Sequence, residues 1–486
     1  MLIARPTSRT VVIAAAVTLL SSPVPAGAQP QCSARTFTAC GVRIENSRVS
    51  FPSDSAVLGP LGPLIDAMPG AGIVIGLLEP DGRTRVITHG MSGRHGVPLS
   101  DSTVFEIGSV TKVFTAVVLA DMVAKHEVQL DDPVANYLPP SVRMPSRDGR
   151  AITLLDLATH TSGLPRNPAN LAAADSGGPY ARYDVDDLYA FLSSYGLTRV
   201  PATQFEYSNV GFGLLGHALA RHADTSYDAL VRARLLDPLG MRDTRIALDA
   251  EREARFAVGH AVDGTVVGPW ELPALAGAGA YRSTVADLLR FVKANLASSD
   301  EPLRLTLAST RVARRATPVS GMGTALGWQT YLPDNDTVPA FVWKDGQTGG
   351  FASFIGVDVA RHRGVVMLAN VAGAEALDAV GIGLLSNKNA GNLASGASVP
   401  TDSVLDTYVG EYELAPAFHM VVTRAKHTLY VQATGQNRLT LLPRSDREFD
   451  VVGVAARVRF DIDAGGHVAS LVLEQGGKAS AARRIQ

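Results

Sequence analysis

Two cysteines among 486 residues, Cys32 and Cys40, leave no material for a disulfide-stapled scaffold or a cysteine-rich zinc module. Neither has a histidine or lysine nearby in sequence that could serve as a base, so cysteine catalysis has no support. Charge of one sign is also lacking. Lys and Arg total 44 against 46 Asp and Glu, a net charge of −2, which argues against a general nucleic-acid binder. The 11 histidines are scattered, with no His-Glu-x-x-His pair, so neither a metal nor another cofactor is expected. Beyond the N-terminus no apolar run is long enough to span a membrane. What remains is an ordinary globular composition, 46% hydrophobic and 19% charged, long enough for two or three domains.

The N-terminus reads as a secretory signal peptide over residues 1–28. Arg5 and Arg9 precede the apolar run Val11 to Leu20, and Ala26-Gly27-Ala28 is a small-x-small cleavage site. There is no twin arginine. Cys32 follows Gln29-Pro30-Gln31, which is unlike a lipoprotein signal, so no membrane anchor is expected. The reading predicts a periplasmic or secreted protein. In that compartment Cys32 and Cys40 would form one local disulfide, with two free thiols as the alternative.

After a polar leader, Ala71 to Leu78 and Thr84 to Thr88 read as strands around an Asp81-Gly82 turn. Helical patterns dominate from Ser109 to about Met241. Strands return between Trp328 and Asn370, and a helix follows from about Glu375 to Leu385. This order predicts a mixed α/β domain over 29–385: an antiparallel sheet flanked by helices plus a helical domain, with a site between them. Residues 386–402 are polar and rich in Gly, Ser and Asn, and read as a linker. Residues 403–486 carry short alternating runs, beginning with Tyr408-Val409-Gly410-Glu411-Tyr412, and predict a small antiparallel β-barrel.

The most informative spacing is Ser109 with Lys112, in Phe105-Glu106-Ile107-Gly108-Ser109-Val110-Thr111-Lys112. If a helix starts at or near Ser109, residues three apart share a face and the hydroxyl can meet the amine. The apolar run from Val113 to Ala120 would bury that helix. A buried lysine loses charge more readily and can serve as a base for a serine nucleophile. Alone, the pattern is better explained by an N-cap serine and a surface lysine. Two further segments stand with it: Tyr207-Ser208-Asn209, and Lys344-Asp345-Gly346 followed by Gln347.

In this order and at these wide gaps, the three segments resemble the serine β-lactamase and penicillin-binding superfamily. The Tyr-x-Asn form is most similar to class C β-lactamases and their DD-peptidase and esterase relatives. Three more segments carry the same resemblance: Leu154 to Pro165, Asp237 to Met241 and Val366 to Asn370. It spans roughly residues 55 to 390 and implies a β-lactamase/transpeptidase-like fold. The barrel resembles the lipocalin-like tails appended to some members.

The resemblance implies an exported serine hydrolase forming an acyl-serine. Ser109 is the expected nucleophile, with Lys112 and Tyr207 as the proton-relay pair. Asn209, Lys344, Gly346 and Gln347 are expected on the substrate, with the backbone N–H groups of Ser109 and Gln347 as oxyanion donors. β-Lactams are the first substrate class. A D-Ala carboxypeptidase or D-aminopeptidase, a carboxylesterase, and a sensor that acylates without turnover are the alternatives. Partners are therefore a small-molecule or short-peptide substrate, and a monomer is expected. Asp345 stands where the family usually has threonine; facing the cleft, it would repel a substrate carboxylate.

Two other patterns have plainer readings. Gly211-Phe212-Gly213-Leu214-Leu215-Gly216 matches a dinucleotide fingerprint by letter, but no strand precedes it, and close helix packing explains it better. His160 reads as a hydrogen-bonding residue at a helix end rather than a catalytic one.

Overall fold

The computed structural model describes residues 49–485, except 67, 173–176, 298–300, 319–320, 333–339, 374, 387–399, 417, 426–427, 435–437, 444, 452–455, 464 and 476–477. The expected signal peptide, Cys32, Cys40 and nearly all of the expected linker lie outside the described residues.

One eight-stranded antiparallel sheet is built from two separate stretches of the chain. The N-terminal part gives β1 (Gly72–Leu78) and β2 (Thr84–Gly90). The later part gives β3 (Arg315–Ala316), β4 (Met322–Thr324), β5 (Gln329–Tyr331), β6 (Phe341–Gln347), β7 (Ala352–Asp358) and β8 (Arg363–Ala369). The spatial order is β2-β1-β8-β7-β6-β5-β4-β3, with Ile73 opposite Ala369 and Lys344 opposite Ile355.

Every residue of β1 is buried, because the sheet is covered on both faces. Period-two alternation divides its side chains between two cores. Val74 and Leu78 pack with Val285, Leu289 and Val292 of a helix at Val285–Leu296. Ile73, Ile75 and Leu77 face the opposite core, with Leu377, Leu384 and Leu385 of the helix Glu375–Ser386.

Helix α1 (Thr111–Ala124) is buried from Thr111 through Met122. A helix apolar on all sides belongs in the middle of a domain, surrounded by other helices. Helix α2 (Asn209–His222) lies against the segment near Leu275. A Cβ on Gly213 would sit 2.9 Å from the Leu275 Cα, and one on Gly216 would sit 2.9 Å from the Gly277 Cα. The glycines of the fingerprint-like run thus permit close packing, inside a helix with no strand before it.

At the C-terminus eight strands, from Gly410–Ala415 to Lys478–Arg484, form a closed antiparallel barrel. It closes where Tyr412 pairs with Arg484 and Glu413 with Arg483. The sequence reading placed Tyr408 in the first strand; the structure instead has a helix, Asp402–Tyr408. Leu405 and Tyr408 lie three apart on one helical face and enter the barrel core. The Tyr408 ring stacks on Phe460 with centroids 4.1 Å apart, and its hydroxyl donates to the Asp446 carbonyl at 2.6 Å.

Among the described residues, no helix is long and apolar enough to cross a membrane. Nor does any group of three or more His, Cys, Asp and Glu there gather as metal ligands would.

Candidate active site

The site begins at a turn too tight for side chains. After the short strand Phe105–Glu106, the backbone reaches φ +45° at Gly108, makes a 3-10 turn over Gly108–Val110 and enters α1. A Cβ on Gly108 would lie 2.9 Å from both N and O of Gln347. Facing it, a Cβ on Gly346 would lie 2.2 Å from the Ile107 carbonyl and 3.0 Å from the Ser109 nitrogen. Contacts below about 3 Å leave room for hydrogen only, so glycine is required on both sides. Ser353 ties the two elements by donating to the Ile107 carbonyl at 2.8 Å. The end of β6 therefore lies against the Ser109 turn, with Gln347 exposed at its tip.

Ser109 and Lys112 meet as the spacing predicts. Lys112 Nζ donates to Ser109 Oγ at 3.0 Å, to Asn209 Oδ1 at 2.9 Å and to the Ala278 carbonyl at 2.6 Å. Lys112 is fully buried. Burial brings its pKa down to about 8, against the pull of Tyr207, and the charges of Lys344 and Arg166 push the same way. Once neutral, the amine has two hydrogens and a lone pair. The Asn209 and Ala278 oxygens accept those hydrogens, which leaves the lone pair for the serine hydroxyl.

Tyr207 reaches Ser109 from the other side, its hydroxyl donating to Oγ at 2.6 Å. Burial would raise its pKa, but the charges of Lys112 and then Lys344 outweigh that and hold the phenol below its usual value. The next residue fixes its place. Ser208 caps α2, its Oγ accepting the Gly211 N–H at 2.8 Å and donating to the Pro165 carbonyl at 2.7 Å.

His160 belongs to this support. It follows the helix Leu154–Ala158 in the left-handed region, φ +58°. Its Nδ1 accepts the Ser208 N–H at 3.0 Å, and its ring lies 4.3 Å from that of Tyr207, centroid to centroid. A backbone N–H can only donate, so Nδ1 is bare and the proton sits on Nε2. Burial, with Lys112 and Lys344 nearby, keeps the ring's pKa well below normal. The ring is thus a hydrogen-bonding residue after a helix, as expected, but the hydrogen bond it makes supports Tyr207.

Asn209, the first residue of α2, touches both Lys112 and a polar patch. Its Nδ2 donates to Tyr180 Oη at 3.0 Å and to Asn167 Oδ1 at 3.3 Å, while its backbone N–H donates to the Arg166 carbonyl at 2.9 Å.

Lys344 is 2% exposed, with Nζ 5.2 Å from the Tyr207 ring centroid. It donates to Asp345 Oδ1 at 2.9 Å, and the same oxygen accepts from Gln329 Nε2 at 2.7 Å. Burial alone would lower the lysine, yet the Asp345 charge raises it above its normal value. Burial likewise would raise the Asp345 carboxyl, and Lys344 holds it low. The two form an ion pair. Asp345 therefore binds the lysine that the sequence reading left for a substrate carboxylate.

All seven expected residues fall within one cluster. Ser109, Lys112, Tyr207 and Asn209 are joined by hydrogen bonds, Lys344 lies against the Tyr207 ring, and Gly346 and Gln347 border the Ser109 turn. Sequence reasoning missed Arg166, Asn167, Tyr180, Gln329 and the Ala278 carbonyl. Arg166 and Asn167 come directly after the Leu154–Pro165 segment, so their position was the one available signal.

A family profile described as Beta-lactamase matches residues 65–386, and one described as a domain of unknown function (DUF3471) matches residues 395–483. The chain is 33% identical over 290 residues to the D-alanyl-D-alanine-carboxypeptidase/endopeptidase AmpH of Escherichia coli K12, covering 57% of this chain and 73% of that protein. It is 29% identical over 342 residues to a β-lactamase of Pseudomonas fluorescens, covering 63% of this chain and 90% of that one. Among solved structures, the D-alanine carboxypeptidase AmpC of Burkholderia cenocepacia superposes with a TM-score of 0.57 at 29% identity, covering 68% of this chain and 98% of that one. A class C β-lactamase of Rhodobacter sphaeroides does so with a TM-score of 0.59 at 25% identity, covering 68% and 99%. The first profile runs unbroken through the sheet, the buried helix α1 and the turn that carries Ser109, and by that match the chain belongs to the β-lactamase family of serine hydrolases.

Proposed function

We propose that the protein hydrolyses acyl compounds through an ester on Ser109, with β-lactams as its first substrate class. The observation that carries this reading is the position of Ser109 Oγ, 3.0 Å from Lys112 Nζ and 2.6 Å from Tyr207 Oη. Ser109 attacks the carbonyl carbon and its proton passes to the Lys112–Tyr207 pair, which titrates as a unit. The backbone N–H groups of Ser109 and Gln347 take the developing oxyanion, at roughly 3 kcal/mol for each donor. Asn209 holds the amide of the acyl part and keeps Lys112 aimed. Deacylation uses a water activated by the same pair.

A second reading, a D-aminopeptidase or carboxylesterase whose substrates need no carboxylate beside the bond that is cut, is favoured by the Lys344–Asp345 pair. A lysine already neutralised is a weaker holder of the carboxylate on a β-lactam or on a terminal D-Ala. Separately from that pair, the relative named a carboxypeptidase/endopeptidase supports a D-Ala carboxypeptidase as a further alternative.

We also infer a monomeric exported protein that binds no nucleic acid, with a signal peptide over 1–28, a catalytic domain over 29–385, a linker over 386–402 and a barrel over 403–486. Mass spectrometry of the intact mature chain tests the central reading. Incubation with a penicillin or a chromogenic cephalosporin should add one acyl mass, and Ser109→Ala should show none. An adduct persisting in Ser109→Ala would sink the proposal; a wild-type adduct that never hydrolyses would mark a sensor.

A further inference from the structure

The charges around Ser109 do not cancel. Lys112 has a pKa lowered to about 8, and Lys344 is paired with Asp345. One cation is left over. Arg166 is exposed, and its guanidinium carbon lies 5.0 Å from the centroid of the Tyr207 ring, whose hydroxyl reaches Ser109. Among the described residues no carboxylate pairs with it. Its backbone is fixed, because its carbonyl accepts the N–H of Asn209 at 2.9 Å and of Val210 at 3.4 Å. The neighbouring Asn167 is equally tied down, accepting from Tyr180 Oη at 2.6 Å and from Asn209 Nδ2 at 3.3 Å.

This arrangement has a cost that calls for an explanation. An unpaired arginine beside Tyr207 adds positive charge next to Lys112, and like charges resist protonation of a neighbouring amine. A surface cation with no role would more simply point to solvent. Held over the ring by a cation–π contact, it keeps its fork of donors available to a bound molecule. A guanidinium takes a planar carboxylate with two parallel hydrogen bonds.

We infer that Arg166 is a specificity-determining residue that receives a carboxylate on the acyl side of the substrate, the part that stays on Ser109. The side is assigned from Asn209, whose backbone N–H donates to the Arg166 carbonyl and which is read above as holding the acyl-side amide; the inference therefore rests on the acyl-Ser109 reading. Anion recognition would then lie not at the end of β6, where Asp345 occupies the lysine, but in the loop that follows the helix Leu154–Ala158. The substrate class is an acyl donor, such as a peptide, with an acidic group before the bond that is cut.

Matched thiobenzyl thioesters test it, with the released thiol measured by colour. One carries an N-succinylglycyl acyl group, one the uncharged N-succinamoylglycyl group. A third thioester puts the carboxylate on the leaving group, as mercaptoacetate with the neutral acyl. Wild type should prefer the anionic acyl over the neutral one by about ten-fold in kcat/KM, the scale of one charge-assisted hydrogen-bond pair. Added salt should shrink that ratio. Arg166→Leu should bring it to about one, and Arg166→Lys should keep part of it. A wild-type ratio at or below one overturns the inference, as does a ratio unchanged in Arg166→Leu. A preference for the anionic leaving group that Arg166→Leu removes overturns the assignment to the acyl side. If no thioester turns over and Ser109 takes no acyl mass, the acyl-serine reading fails and this inference with it.

Discussion

Lys344 gives its buried ammonium to the side chain of the very next residue, Asp345, at 2.9 Å. The contact sets the charge state of Lys344. It keeps the lysine protonated beside Tyr207 while withholding it from an incoming carboxylate.

Replacing Asp345 by threonine should therefore have two measurable effects. The ratio of cephalosporin to neutral-ester turnover should rise, by about ten-fold if one charged hydrogen bond is released to the substrate. The fold should also weaken, because a buried lysine loses its counter-charge. Breaking a fully buried pair costs about 3–5 kcal/mol, and the 29% exposure of the Asp345 side chain puts the expected loss below that range. A turnover ratio that stays flat while the melting temperature falls would show that Lys344 does not meet the substrate's carboxylate.

Lys112 and Tyr207 should behave as one device. Lys112→Ala and Tyr207→Phe should each lower kcat by at least about a hundred-fold, the scale of positioned acid–base groups. The double variant should be little worse than either single one. Losses that multiply in the double variant would mean two independent roles.

The depressed pKa of Lys112 gives a direction for pH. The amine must be neutral to accept a proton, so kcat/KM for an uncharged ester should climb with pH and level off above about 8. The stability term follows by linkage. Between about 8 and the normal 10.5, the unfolded lysine binds a proton that the folded one has released. This group's contribution to stability therefore grows as pH rises through that window and is least favourable below it. A rate profile flat from pH 6 to 9 would remove Lys112 from the proton transfer.

A chain ending near Asn392 should still take up an acyl group at Ser109. The barrel has its own core, into which Leu405 and Tyr408 of the preceding helix pack. If the shortened chain is recovered only as aggregate, the barrel is part of the catalytic fold.

What could be read from the sequence follows from how local each contact is. Ser109 and Lys112 were legible because one helical turn fixes residues three apart, whatever surrounds them. Strand β1 was legible from its continuous apolar run. Tyr207 and Lys344 came from motif resemblance rather than from spacing. The Lys344–Asp345 pair ran against a sound rule, since successive strand side chains point to opposite faces. A long lysine stem can bend back where a short side chain could not. Arg166, Asn167 and Tyr180 meet Asn209 only through loop geometry, which no periodicity encodes. Tyr408 misled because alternating tyrosines suit a strand, while the helix that carries it is set by its packing into the barrel.

Gly108 lies against the backbone of Gln347 and Gly346 against that of Ile107 and Ser109, so the distance between the Ser109 turn and the tip of β6 is set by backbone contact, with the Ser353 hydroxyl as the one side chain that joins it. A mutation at Gln347, Asp345 or Arg166 can therefore alter what enters the cleft without moving the two N–H groups beside it. Such a scaffold can change diet without relearning its chemistry. The same contact makes the two glycines the least forgiving positions in the cleft, since even one added methyl group would part the nucleophile from the strand beside it.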